Sequence, residues 1–514
     1  MGLSLLRRSA LLLLAFALPL LGQDDVYRAQ YEINYKRFTR GDDVKVADEA
    51  WGRLEWFRER MGGDLSPDFS RRLFSEAERE RAKHPNLFKA GFGPEIPAAI
   101  VPAAWVNIGP TTSNFTQNGI TLTKVDSGRL RNILIDTADP TGDTVYVLAS
   151  GGGLWKTINF TNANPTWRPL TDFIGSNMSG SVSFGGVTST LYVGAGDPFD
   201  LGVGGFVVKS TNGGTTWSTP AIQLGAASKI YDIKVDASLG SDIVLVGTDV
   251  GLYRSIDGGS NYASVASIPS QRVWSLVRTS AGWLASSVAA VGGAGAIYLS
   301  TNQGATWSAI SSTALTGAGR ITLAVGQPAD NVAYAYCANT AGSAQYDLLR
   351  SSDGGLNWTA LGITNKSATN GAINEDQWIS ATNTTSNMDL MHSQAWYNQM
   401  ILVDPTDANR NTVYLGGNLS SAKTVNGGST WTLTTNWLAQ YGLPYAHADF
   451  HCAAFSSIGG ISRLYFGTDG GIFTSTDGGS TWDDTKNKGL VNHLIYALAA
   501  NPGVAGSALV GLQD

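Results

Sequence analysis

Ser475-Thr476-Asp477-Gly478-Gly479-Ser480-Thr481-Trp482 holds the residues a tight β-hairpin needs. An Asp or Asn side chain accepts hydrogen bonds from backbone N–H groups just ahead of it and so closes a turn. Glycine supplies the positive φ that other residues avoid. The Ser or Thr hydroxyl can tie the end of one strand to the turn. The tryptophan starts the next strand and can fold back beneath the hairpin, where burying its ring is worth about 3–5 kcal/mol as an upper bound. Close copies run from Ser210 to Trp217 and from Ser351 to Trp358, and Ser255 to Tyr262 has Tyr in place of Trp. Ser300 to Trp307 and Thr424 to Trp431 carry Asn at the acidic position. Thr157-Ile158-Asn159 with Trp167 is a degenerate first copy with a lengthened turn.

These copies recur at intervals of roughly 45–53 residues, apart from one of roughly 73. A four-stranded propeller blade takes about 40–50 residues. The long interval therefore predicts an insertion, placed in the Asn-, Thr- and Ser-rich region Ile363 to Met391 and read as a surface loop. The fold class is all-β: a propeller of seven to eight four-stranded blades, in which Asn159, Asn212, Asp257, Asn302, Asp353, Asn426 and Asp477, with Trp217, Trp307, Trp358, Trp431 and Trp482, are structural. Their carboxylates and amides are used as turn acceptors and are not catalytic candidates. An eighth unit begins at Ile495 and stops at Asp514, so the last blade reads as truncated. As an alternative, these last strands pair with Ala104 to Ile108 and close the ring as a seam, since an open edge invites aggregation.

The chain has 514 residues, with 61 glycines, 15 tryptophans and only 15% charged residues, a mix that suits short strands joined by tight turns. A net charge of −6 with no basic stripe gives no reason to expect nucleic acid. Arg7 and Arg8 precede an apolar run from Ser9 to Leu21, too short to span a bilayer comfortably, and Gly22 before Gln23 is a plausible cleavage point. Residues 1–22 therefore read as a signal peptide, and the mature chain as secreted or periplasmic with no membrane span. Residues 24–95 are rich in charge, and Ala47, Ala50, Trp51, Leu54, Phe57 and Met61 recur at helical spacing. They read as a short helical N-terminal segment, followed by a linker over 96–103 and the propeller over 104–514. Cys337 and Cys452 fall in different repeats and read as buried thiols.

The Ser-x-Asp-x-Gly-x-Thr-Trp pattern resembles the Asp-box, or bacterial neuraminidase repeat. It is shared by sialidases, xyloglucan-cleaving glucanases, sortilin-type receptors and a photosystem assembly factor. The chain is most similar to secreted bacterial proteins with sortilin-like Asp-box propellers, through the words Ser127-Gly128-Arg129, Gly151 to Thr157, Trp396-Tyr397, Val403-Asp404-Pro405 and Tyr465 to Gly471. The resemblance implies the scaffold and not one activity.

Candidate chemistry lies away from those hairpins. In His447-Ala448-Asp449-Phe450-His451, strand alternation would set His447, Asp449 and His451 on one side, a donor set suited to a divalent metal. However, i and i+4 on a strand are about 13 Å apart, too far for one ion unless the backbone bends. A hydrogen-bonded cluster is the competing reading. His392, Trp396 and Tyr397 precede the sixth blade and join these residues as binding candidates. Asp249 and Asp469 occupy equivalent turns, Gly247-Thr248-Asp249 and Gly467-Thr468-Asp469, and are the candidate catalytic carboxyls, because glycoside hydrolysis needs two. Xyloglucan-cleaving relatives carry an acid in such a turn of the first blade, where this chain has Ala149-Ser150-Gly151-Gly152. Sialidases use an arginine triad whose first member usually sits in Arg-Ile-Pro, which does not occur here. Arg129, Arg254, Arg320, Arg350 and Arg463 read as blade-edge pairs. No cofactor motif is present. The leading expectation is an exported binding module for a protein, peptide or glycan, and the alternative is a glycoside hydrolase of xyloglucanase-like or sialidase-like type.

Overall fold

The chain divides into two units, Met1–Leu73 and Phe74–Asp514. The structure, a computed structural model, describes Arg79, residues 113–117, 120–172, 174–200, 204–218, 221–238, 240–289, 293–370, 388–439 and 442–493, and the backbone of 495–500 and 508–512. Apart from Arg79, the helical segment expected over 24–95 lies outside these residues. So do the signal peptide, the linker, the strand expected over 104–108 and most of the insertion.

The second unit is a seven-bladed β-propeller. Its innermost strands are Leu130–Ile135, Ser179–Phe184, Ile230–Asp236, Arg272–Arg278, Ala318–Val325, Met400–Val403 and Phe450–Ile458. In each blade the strands run antiparallel in chain order from the centre outward. The second strands are buried from end to end, as in Val145–Ala149, Ile243–Thr248 and Trp283–Val288. Both of their faces press on a neighbouring blade, so they need uninterrupted apolar or small residues rather than alternation. Most outer strands are only two residues long, and several are fully exposed.

The core lies between blades. Leu130, Ile133, Val145 and Val147 of the first blade pack with Tyr465 and Ile472 of the seventh, which closes the ring. Hydrogen bonds reinforce this junction: Asn487 Oδ1 accepts from Ile472 N at 2.7 Å while its Nδ2 donates to Val125 O at 2.9 Å. The seventh blade departs from the four-stranded plan. It has three strands, and its fourth is reduced to one antiparallel bridge between Thr474 and Asp483. After it, Ile495–Ala500 pairs with Ala508–Leu512.

The hairpin motif works as the sequence indicates. In the last copy Asp477 Oδ1 accepts from Ser480 N and Thr481 N at 3.0 and 2.9 Å, and Ser475 Oγ accepts from Gly479 N at 2.8 Å. Gly478 and Gly479 have φ of 70° and 90°. Asn212, Asn302 and Asn426 accept from the residue four ahead at 2.9 Å, Asp257 and Asp353 do so at 2.9 and 3.0 Å, and Asn159 spans its longer turn to Thr166. Trp307, Trp358 and Trp431 each donate Nε1 to a glycine carbonyl of their own turn. Trp217 and Trp482 donate to the preceding blade instead.

Candidate functional site at the propeller axis

The inner strands share a defect. In six of the seven blades the pairing with the second strand slips by an extra residue near its start. Such a β-bulge leaves that residue out of the ladder and re-aims its side chain. The residues at the slips are Arg131, Gly180, Tyr231, Trp274, Gly319-Arg320 and His451. Successive blades thus present Arg, Gly, Tyr, Trp, Arg and His at one level of the axis.

Two blades break the pattern, and both exceptions fill the centre. The bulge residue of the second blade is Gly180, where a Cβ would lie 1.9 Å from Ile230 O of the third blade. This blade instead contributes the loop Asp197-Pro198-Phe199-Asp200. The sixth blade has an unbroken register and contributes Trp396-Tyr397 from the segment ahead of its inner strand. Phe199 is the hub: Tyr397, His451, Trp274 and Trp396 rings lie 4.7, 5.7, 5.8 and 6.1 Å from its centroid. The guanidiniums of Arg131, Arg320 and Arg129 lie 5.0, 5.4 and 5.9 Å from it.

A hydrogen-bonded chain links four blades through this centre. Ser150 Oγ donates to Asp197 Oδ2 at 2.5 Å. Arg129 donates to Ser150 Oγ at 2.6 Å, to Asp197 at 3.3 Å, to Asp200, and to the Tyr397 hydroxyl at 2.6 Å. Tyr397 donates in turn to Asp469 Oδ2 at 2.6 Å, and Asp469 Oδ1 lies 2.6 Å from His451 Nε2. Arg320 Nη1 donates to the carbonyls of Trp396 and Tyr397 at 2.9 and 2.8 Å, which fixes that segment.

Protonation follows from these partners. Burial alone would raise the Asp469 carboxyl, but His451, Arg129 and Tyr397 overcome it and hold the group down at about 2. Burial pushes the His451 imidazole down to about 4 against the pull of Asp469. At neutral pH, then, Asp469 is ionised and a neutral His451 donates Nε2–H to it, leaving Nδ1 buried with no hydrogen-bond partner among the described residues. Asp197 is likewise held low, against burial, by Arg129, Arg131 and Ser150. Burial raises the Tyr397 phenol, and its link to Asp469 adds to this, so it keeps its proton. Burial would lower Arg129, but Asp200, Tyr397 and Asp197 more than reverse it.

The residues singled out from sequence divide. Tyr397, His451 and Asp469 meet at the axis with Trp396. Asp249 caps a turn instead, accepting from the amides of Ser228 and Lys229 at 3.1 and 3.2 Å. The alternation expected over 447–451 does not hold. Asp449 has φ of +64°, and the strand begins only at Phe450. Asp449 accepts from Asn398 Nδ2 at 2.5 Å, whereas His447 Nδ1 lies 3.2 Å from the adjacent Ala448 carbonyl. No group of three His, Cys, Asp or Glu side chains suited to a metal is present among the described residues. His392 binds through its backbone, donating N–H to Asp389 and accepting from Asn418.

Arg129 and Arg320 are not blade-edge pairs. Arg254 and Arg350 are: their Nε atoms donate to Gln303 O and Tyr334 Oη. Sequence reasoning missed Arg131, Asp197, Phe199, Asp200, Tyr231 and Trp274 altogether. One signal was available. Arg129, Arg131, Arg272 and Arg320 all stand at the start of an innermost strand, two of them after glycine, whereas Arg254 and Arg350 lie in third strands. The two cysteines are free, Cys337 buried and Cys452 partly so. No described helix is long and apolar enough to cross a membrane.

No family model matches the chain, and no curated protein matches it. Among solved structures, YCF48 bound to D1 peptide is 15% identical, with 71% of this chain and 96% of that chain covered and a TM-score of 0.43. An ancestral GH74 enzyme is 15% identical over 75% of this chain and 49% of its own, with a TM-score of 0.47. The computationally designed Ika8 protein is 11% identical over 72% and 97%, with a TM-score of 0.37.

Proposed function

We propose that this chain is an exported binding propeller of the Asp-box type. Its recognition surface is the end of the axis carrying Phe199, Trp274 and Trp396, and it engages a protein, peptide or glycan there. The carrying observation is the state of the central acids and bases. Glycoside hydrolysis needs one carboxyl that stays protonated and a second that acts as base or nucleophile. Asp197 and Asp469 are both held ionised, and both are occupied by partners from the protein itself. Asp249 is committed to the amides of Ser228 and Lys229. The half-buried aromatic rings beside them offer apolar faces without reactive groups, as a binding surface does.

The deciding experiment pairs a hydrolysis screen with a binding screen, using the full-length protein on panels of glycans and peptides. Binding without turnover, weakened at least tenfold by Trp274→Ala, supports this reading. Turnover of any glycan that disappears in a folded Asp469→Asn variant would establish the glycoside hydrolase instead.

A further inference from the structure

Two of the arginines at the axis have more hydrogen-bonding capacity than the protein uses. Arg131 is 9% exposed, and its guanidinium makes no hydrogen bond to any described residue. Among the described residues its one carboxylate neighbour is Asp197, 3.9 Å away, and that carboxylate is already shared by Arg129 and Ser150. Arg320 is 8% exposed, with two carbonyls on Nη1, nothing on Nε, and no carboxylate in ion-pair range among the described residues. Trp274 stacks under Arg320 at 4.3 Å, and its Nε1–H is also buried with no acceptor among the described residues. Burial lowers both guanidiniums; Arg129 depresses Arg131 further, and Arg131 depresses Arg320.

Buried cations are normally paired, because taking a charge out of water without a partner is strongly unfavourable. Here two cations and an indole N–H, all from bulge positions, gather around Phe199 with donors to spare. Among the described residues, the buried side-chain acceptors left spare at the axis are His451 Nδ1 and Asn398 Oδ1. A site so rich in donors selects a ligand group rich in acceptors and carrying negative charge. We infer that Arg131, Arg320 and the Trp274 N–H form a subsite for a compact oxyanion, a carboxylate, sulfate or phosphate group, carried by the ligand of the binding propeller. The inference rests on the binding reading above. It adds that the ligand is anionic, with apolar surface next to its charge for Phe199 and Trp396.

The test titrates full-length protein with sodium acetate, benzoate, sulfate and phosphate, each at ionic strength held constant with sodium chloride, and follows the melting temperature. At least one oxyanion is expected to give a saturable rise of a few degrees, since a ligand bound only by the folded state stabilises it. A response to acetate and benzoate assigns a carboxylate, and one to sulfate and phosphate assigns a tetrahedral group. Arg131→Met and Arg131→Gln should both abolish the rise. With no anion present they should stay folded and melt within a few degrees of the wild type, because no hydrogen bond is broken and Arg129 and Ser150 still hold Asp197. The inference is overturned if no oxyanion stabilises the wild type, if a folded variant keeps the full rise, or if both variants unfold, which would make Arg131 chiefly a structural partner of Asp197. Neutral peptides or glycans that still bind in that case leave the binding propeller standing. Hydrolysis in the screen overturns the binding reading itself.

Discussion

Each blade has two kinds of end, and they treat carboxylates in opposite ways. At the hairpin tips Asp257 and Asp477 are exposed, and both bond to their own turn within four residues. At the axis Asp197 and Asp469 are almost fully buried, and they bond to residues brought from other blades: Arg129 reaches Asp197 across 68 residues and Tyr397 reaches Asp469 across 72. Both environments hold a carboxyl below its ordinary range. At Asp257 the local hydrogen bonds with Asn261 do so. At Asp469 His451, Arg129 and Tyr397 must first outweigh burial. The same ionised state is therefore a local property at one end and a property of the closed ring at the other.

The most severe way to break this comparison is Arg129→Met. It removes the cation shared by Asp197, Asp200 and Tyr397 while roughly keeping the volume. Breaking a buried pair by removing one partner costs about 3–5 kcal/mol, because the other charge stays buried without compensation. Urea denaturation at pH 7 should show a loss in that range. A loss below about 1 kcal/mol would mean that the axis is as forgiving as a tip.

This difference also explains what was legible in the sequence. The tips were readable because every partner of Asp477 lies between Ser475 and Thr481, so residue type and spacing determine the geometry. Seven repeats followed from the same words, but they left the count between seven and eight, because the strands from Ile495 onward could be read as a further blade or as a seam. The axis was only partly readable. Tyr397, His451 and Asp469 stood out through their residue types, but nothing local says that they meet. A bulge leaves no fixed residue signature, and the six bulge sites hold Arg, Gly, Tyr, Trp, Arg and His. The period-2 rule then misassigns the side chain that the bulge re-aims, as it did over His447 to His451 where Asp449 takes a left-handed conformation. Phe199 could not be found from sequence either, since it fills a space that exists only once seven blades have closed.

Acid titration offers a second, smaller test. His451 is lowered from 6.5 to about 4 in the folded protein. Between these values the unfolded chain binds the extra proton, so stability is fully present above about pH 6.5 and is lost as pH falls towards 4. The shift corresponds to roughly 3 kcal/mol at most. Asp469, lowered from 3.8 to about 2, adds a later loss as pH falls through that window. His451→Gln keeps an N–H for Asp469 but cannot titrate. Urea midpoints measured from pH 7 to 4 should therefore fall for the wild type and stay nearly level for the variant. Parallel slopes would show that His451 is not the group responsible.

The smallest effect is expected at the tips, where Asp477→Asn exchanges one native solution for another. In the wild type the Thr481 hydroxyl donates to Asp477 Oδ2 at 2.6 Å. Where the motif carries Asn, the bond runs the other way: Nδ2 of Asn302 donates to Thr306 Oγ1 and Nδ2 of Asn426 to Thr430 Oγ1, both at 2.8 Å. A threonine hydroxyl can serve as donor or acceptor, so the turn closes with either residue and the backbone acceptor Oδ1 is kept. The variant should change stability by less than about 0.5 kcal/mol, as surface substitutions that break no special feature usually do. Asp477→Ala loses the side-chain bonds from Ser475 and Thr481 and the two backbone bonds, and should cost about 1 kcal/mol, comparable to losing a helix cap. If Asp477→Asn instead cost as much as Asp477→Ala, charge rather than hydrogen-bond geometry would be what the turn requires, and the four Asn copies would need a separate explanation.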